Sequence, residues 1–387
     1  MNRKNSQKIA FDCQYFLGDR PCTWHKQRGV RCECEYYTPL KGSLVIIKLD
    51  AMGDVLRTTC LLPCIVKAWP GLRITWITRQ ESVPLLENSP YITEIVPYNT
   101  DAIIHLMART FDYAIGLDAG KVTAGMMTMA KASKKFGYIL HEDGYVIATN
   151  EAADEWLRMG IFDNLKQANQ RSHQEIMCSI LGIAKDGMKY VLELTENEKE
   201  EGRRHLERLG ISLDKRIIGI HTGGGERWTL KQWSEEKFVS LIPELAKQTG
   251  CEAQILLFGG PLERELNKRI QGRTNIPIFD AGCDNNARHF ASLINNISVL
   301  LSGDSLAMHV ALAMGRRVVV LFGPTSNTEI ELFGLGEKVI PNLDCLACYK
   351  KTCDFTPNCM DAISVDMVKK AIFRQLAVVE NHSIGTK

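Results

Sequence analysis

No apolar run in the 387-residue chain approaches the ~20 residues that span a bilayer. The longest, such as Ile255–Phe258 and Val318–Phe322, suit buried strands. The opening MNRKNSQKIAFDCQYF is basic but has no apolar stretch, which excludes a secretory signal and leads us to expect a cytoplasmic protein. Contact with the inner face of an inner membrane stays open. An excess of one charge is also missing. The 47 Lys and Arg against 45 Asp and Glu leave a net charge of +2, so no nucleic-acid partner is expected. The G-x-G-x-x-G spacing of dinucleotide enzymes is absent.

Hydrophobic residues make up 45% of the chain and charged ones 24%, the profile of a globular protein. At ~150 residues per domain the length implies two domains. SLVIIKL (43–49) reads as a buried parallel strand, followed by helix-like residues 55–68 with Pro63 inside them. Further strands are expected at 73–78, 94–98 and 112–117, with helical pieces between. The second half repeats the scheme, with strands at 216–221, 253–259, 277–281, 298–303 and 317–323. Such alternation predicts two doubly wound Rossmann-like α/β domains facing across a cleft. We expect a small Cys-rich module at 1–42, an acceptor domain at 43–193 and a donor domain at 194–387.

Three loops follow strands and carry chemistry. DAMGDV (50–55) places Gly53 where backbone can approach a ligand and Asp54 where a helix begins. Asp54 is there either as an N-cap or as a general base. IHTGGGERWTLKQW (220–233) offers Thr222, Gly223, Gly224 and Gly225 as a cradle for phosphate oxygens, with Arg227 and Lys231 adding positive charge. SGDSLAMHVALAMGRRVVVLFGPTS (302–326) sets Asp304 and Ser305 at a helix start, where free N–H groups and the dipole favour a pyrophosphate. His309, inside that helix, reads first as a packing residue.

The 13 cysteines are clustered, which in a reducing compartment indicates metal sites before disulfides. Cys345, Cys348, Cys353 and Cys359 have spacing suited to tetrahedral zinc or iron. Cys13, Cys22, Cys32 and Cys34 form a looser set in which His25 could replace one thiol. Both are expected to be structural sites, because four protein ligands leave no open position. Cys60, Cys64, Cys178, Cys251 and Cys283 read as core.

These motifs carry a resemblance from Ser43 to about Ile363. LVIIKLDAMGDVLRTTCLLPCIVKAWPGLRITWIT, IHTGGGERWTLKQWS and GDSLAMHVALAMGRRVVVLFGPTS resemble, in order, segments of glycosyltransferase family 9, the ADP-heptose:lipopolysaccharide heptosyltransferases. The resemblance implies a GT-B fold and inverting transfer of a heptose from ADP-heptose to an acceptor hydroxyl, with no metal in the transfer step. It implies that Asp54 is the general base and that Lys231 holds donor phosphate. Thr222, Gly223 and Gly224 would line the phosphate loop. Asp304 and Ser305 would meet donor sugar and diphosphate, and His309 matches the family histidine. Glu263 would meet the ribose, with Glu265 an equal choice. The chain departs from the pattern at Leu306, usually glycine, and Thr222, usually proline. Similar cysteine loops occur in relatives, including an iron-binding form among the autotransporter heptosyltransferases. A lipopolysaccharide core, another glycan or a protein hydroxyl remains open as acceptor, as do another nucleotide sugar, a non-catalytic sugar-nucleotide binder and a homo-oligomer.

Overall fold

The computed structural model describes residues 8–224, 229–248 and 253–384. Gly225, Arg227 and Cys251 lie outside the described residues. The first sheet contains β1 (Gly42–Ile47), β2 (Leu72–Thr78), β3 (Glu94–Pro97), β4 (Thr110–Gly116), β5 (Lys131–Leu140) and β6 (Val146–Ala148). Its order is β3-β2-β1-β4-β5-β6, parallel except for the antiparallel β5–β6 pair. The second contains β7 (Arg216–His221), β8 (Ala253–Phe258), β9 (Phe279–Asp280), β10 (Val299–Gly303), β11 (Arg317–Leu321) and β12 (Gly336–Val339). Its order is β12-β11-β10-β7-β8-β9, and every pair is parallel. This is the expected pair of doubly wound domains.

In each sheet the first strand in sequence, β1 or β7, lies in the middle. Strand order reverses beside it, between β1 and β4 and between β10 and β7. Crossover helices leave in opposite directions there, so the loops after those strands part and open a crevice. The segments 48–51, 117–120, 222–224 and 304–305 all stand at these two switch points.

β5 and β6 were not expected. Lys131, Lys134 and Lys135 give β5 a charged look, yet it pairs with β4 along most of its length. The stretch around Pro63 forms two helices, Met52–Thr58 and Leu61–Ala68. Pro63 falls in the first turn of the second, where a helix has no use for the missing N–H.

One apolar cluster runs through both halves. It takes Val55 and Leu56 from the Met52 helix and Ala307, Met308, Val310 and Ala311 from the helix Leu306–Ala313. Gly53 makes this contact close: a Cβ there would stand 3.3 Å from His309 Cδ2 and 3.8 Å from the Leu306 Cα. The missing side chain of Gly53 admits the other domain here. Arg288 clasps the same interface, donating to the Pro84 and Glu193 carbonyls at 2.8 Å and to the Glu198 carboxylate at 2.6 Å. Among the described residues no helix is long and apolar enough to cross a membrane.

Candidate active site

On the first-sheet side, Lys48 and Asp118 follow the paired strands β1 and β4 and form a buried ion pair. Asp118 Oδ2 also accepts from the Leu49 N–H at 2.7 Å and the Asp50 N–H at 3.2 Å. The loop before the Met52 helix is thereby tied to the end of β4. Burial, followed by the hydrogen bond to Asp118, pushes the Asp50 carboxyl up to about 6.

Asp54 stands in the first turn of the Met52 helix. The capping alternative is overturned: the helix starts at Met52, Ala51 is the N-cap, and no side chain caps it. The Asp54 carboxylate instead accepts from Arg57 Nη2 at 2.7 Å, one turn on. Arg57 has a buried Nε with no partner, and its charge also acts on Tyr190, Asp304 and Glu329. No motif pointed to Arg57; its i, i+3 spacing from Asp54 was the available signal.

On the second-sheet side, Lys231 ends a short turn, Thr229–Lys231. Its Nζ donates to the Asp304 carbonyl at 2.6 Å and lies 3.3 Å from Asp304 Oδ2. Burial raises the Asp304 carboxyl, but Lys231 first, then His309 and Arg57, outweigh it and hold the carboxyl below its usual range. Asp304 and Lys231 therefore sit together, within reach of the first domain's Arg57.

The glycine loop packs closely. A Cβ on Gly223 would meet the Glu263 carboxylate at 2.7 Å, and one on Gly224 would meet the Gln232 backbone at 3.0 Å. Glu263 thus stands beside the loop, with Oε2 accepting from the Gly260 N–H at 2.8 Å. Glu265 points elsewhere and pairs with exposed Lys268. Two hydroxyls differ from expectation. Thr222 Oγ1 donates to Asn267 at 2.7 Å, and its N–H donates to the Phe258 carbonyl, so the residue locks the loop to β8 rather than offering itself to a ligand. Ser305 Oγ pairs with Ser302 Oγ at 2.9 Å and makes no cap bond, leaving the helix N–H groups for another acceptor.

His309 is buried against the first domain. Burial, then the charge of Arg57, pushes its imidazole down to about 4, so the ring is neutral at physiological pH. Buried polar atoms crowd the same junction. Glu329 Oε1, His173 Nδ1 and Gln174 Oε1 all lack a protein partner. Burial holds the Glu329 carboxyl above its usual range. Unmet buried groups on this scale mark a place where ligand or water completes the bonding.

The family model for glycosyltransferase family 9 (heptosyltransferase) matches residues 102–358. The chain belongs to this family. It is therefore a glycosyltransferase, which implies a nucleotide-sugar donor and a glycan acceptor. It is 20% identical over 299 residues to the lipopolysaccharide core heptosyltransferase OpsX of Haemophilus influenzae, covering 74% of this chain and 80% of that one. The family 9 glycosyltransferase of Veillonella parvula superposes with a TM-score of 0.71 at 18% identity, covering 87% of this chain and 98% of that one. The iron-containing dodecameric glycosyltransferase TibC of enterotoxigenic E. coli superposes at 0.54 and 14% identity, over 89% of this chain and 78% of its own. TibC has also been solved with ADP-D-beta-D-heptose. These likenesses confirm the GT-B fold.

The twelve cysteines among the described residues are free thiols. Cys13, Cys22, Cys32 and Cys34 line one cavity of about 330 Å³ with His25. Cys345, Cys348, Cys353 and Cys359 line another of about 360 Å³. Burial, then the neighbouring thiols Cys348, Cys353 and Cys345, push Cys359 up to about 11. Among the described residues no three His, Cys, Asp or Glu side chains stand as a formed metal site. The donor chemistry of each set suits a soft cation, whereas the side-chain positions do not close around one.

Proposed function

We propose that the protein transfers a heptose from ADP-heptose to a glycan hydroxyl with inversion at the anomeric carbon. One observation carries this reading: Asp54 of one domain and the Lys231–Asp304 pair of the other meet around Arg57 at opposed switch points. Asp54 takes the proton of the acceptor hydroxyl. That oxygen attacks the anomeric carbon as the bond to the diphosphate oxygen breaks, and the electron pair leaves with ADP. Negative charge growing on the diphosphate is met by Lys231, the Gly223 and Gly224 amides and the open helix start after Ser305, a preorganised field of the kind that dominates many enzymes. Glu263 accepts from the ribose, and Asp304 orients Lys231.

Support for the heptose is the family membership and the ADP-heptose complex of TibC. The lipopolysaccharide core is the first acceptor to test, because OpsX acts there. Zinc or iron in the two cysteine sets is proposed as structural, supported by the clustered spacing and soft-donor chemistry of the thiols and by the iron of TibC. Homo-oligomerisation and attachment to a membrane face are open proposals; the dodecameric TibC supports testing the first.

The experiment is ADP release and product NMR with ADP-heptose and deacylated lipopolysaccharide core. ADP-, GDP- and UDP-sugars are compared by thermal shift, since a bound donor raises apparent stability. Asp54→Asn is expected to lower kcat by about 100-fold or more. Near-normal turnover would remove Asp54 as the base. Release without transfer to this acceptor would turn the search to protein hydroxyls.

A further inference from the structure

Tyr190 lies in the segment that joins the two halves, and its hydroxyl touches both. Gln174 Nε2, on the first-domain helix His173–Leu181, is 3.1 Å from the Tyr190 oxygen. His309 Nδ1, on the second-domain helix, is 3.1 Å from the same oxygen. All three residues are buried, at 0%, 4% and 5% exposure for Gln174, Tyr190 and His309. The Tyr190 ring also packs edge-on against His309 and Phe333.

Donor count sets the direction of this relay. An amide N–H only donates, so Gln174 gives a hydrogen bond to the Tyr190 oxygen. The single Tyr190 proton then goes to the remaining partner, His309 Nδ1, which accepts it. A neutral imidazole that accepts at Nδ1 carries its own proton on Nε2. That edge faces the other domain: a Cβ on Gly53 would stand 3.9 Å from Nε2, beside Asp54.

We infer that Tyr190 is a positioning residue for transfer: held by Gln174, it fixes His309 as the tautomer whose Nε2–H faces Gly53 and Asp54. His309 then serves as a neutral donor of a hydrogen bond to a substrate oxygen in the cleft. It neither removes nor supplies the transferred proton. The relay spans both domains, so it exists only when they are docked as described. This inference rests on the proposed transfer reaction, although the tautomer itself is independent of it.

The test begins with ¹⁵N-histidine NMR of the full chain, with His309 assigned by its loss in His309→Gln. An unprotonated Nδ1 and a protonated Nε2 are expected; a proton on Nδ1 overturns the inference whatever the kinetics show. Kinetics follow with ADP-heptose and deacylated lipopolysaccharide core. Tyr190→Phe is expected to lower kcat about tenfold with donor KM little changed, and to cost nothing further in the His309→Gln background. Equal losses in both backgrounds would show that Tyr190 does not act through His309 and would overturn the proposal. If wild type fails to turn over ADP-heptose, the transfer reading falls, and the NMR result still decides the tautomer.

Discussion

Asp118→Asn removes the charge that holds the loop in front of Asp54. Asp118 faces Lys48 with one oxygen and two backbone N–H groups with the other, and both charged side chains are almost wholly buried. Asparagine keeps the shape but has one accepting oxygen. Its amide must therefore oppose either the Lys48 ammonium or the Leu49 N–H. A buried ion pair that loses one partner costs about 3–5 kcal/mol, mainly from the charge left behind, and Asp50 Oδ2, 3.3 Å from Lys48 Nζ, puts this variant at the low end. For a domain of this size the low end lowers the melting temperature by roughly 6–12 °C. The pH dependence has a definite sign. Burial raises the Asp118 carboxyl, but Lys48 outweighs it and holds the folded value below the unfolded one. Its contribution is thus fully present above the unfolded value and lost as pH falls through the folded one. The gap between wild type and variant should be widest near neutrality and close in acid. Replacing both partners, as Lys48→Met with Asp118→Leu, should recover part of the loss. It should remain about 1–3 kcal/mol below wild type, because the Leu49 N–H still lacks an acceptor. Urea unfolding followed by circular dichroism measures all three proteins. An Asp118→Asn variant within 1 kcal/mol of wild type at neutral pH would refute the reasoning.

Arg288→Met should loosen the domain clasp and cost on the order of 2 kcal/mol. The Arg288 hydrogen bond holds the Glu198 carboxyl down at about 2, so this contribution is present above the usual glutamate value and fades as pH falls toward 2; calorimetry at two pH values checks it. Asp50 behaves in the opposite sense. Its folded value of about 6 lies above the unfolded one, so its effect favours folding in acid and is lost as pH rises through 6. A carboxyl ¹³C titration should find a group near that value that Asp50→Asn removes. Elemental analysis of the purified chain should find zinc or iron, and a stoichiometry near zero would sink both structural sites.

Much of the fold could be read from local pattern. β1, β7, β10 and β11 are continuous apolar runs because central parallel strands are covered on both faces. Asp54, Gly223, Lys231 and Asp304 were also legible, since a site built on strand ends leaves short motifs beside strands. What escaped the sequence was pairing across long separations. Nothing near Tyr190 says that its hydroxyl meets residues 174 and 309. Nothing near Thr222 says that Asn267 takes its proton. β5 was hidden because its lysines obscure the apolar pattern of a strand near the sheet's edge.

Leu306 and Gly53 are better understood together than apart. Taken alone, Leu306 in place of the usual glycine loses a close backbone approach. In the structure the close approach is supplied from the other side, by Gly53, whose missing side chain admits Leu306 and His309. The apolar cluster then runs unbroken from the Met52 helix into the Leu306 helix. Separating the domains would expose that surface and break the Gln174–Tyr190–His309 relay in one motion. Domain docking and the arrangement of the candidate catalytic groups are therefore a single equilibrium. Substitutions that add bulk at Gly53 should act on both: a Cβ 3.3 Å from His309 needs the ring to yield by a few tenths of an ångström, and Tyr190 holds that ring in place. Gly53→Ala should therefore lower kcat by more than its effect on melting temperature implies. A loss of activity that simply tracks stability would refute this coupling.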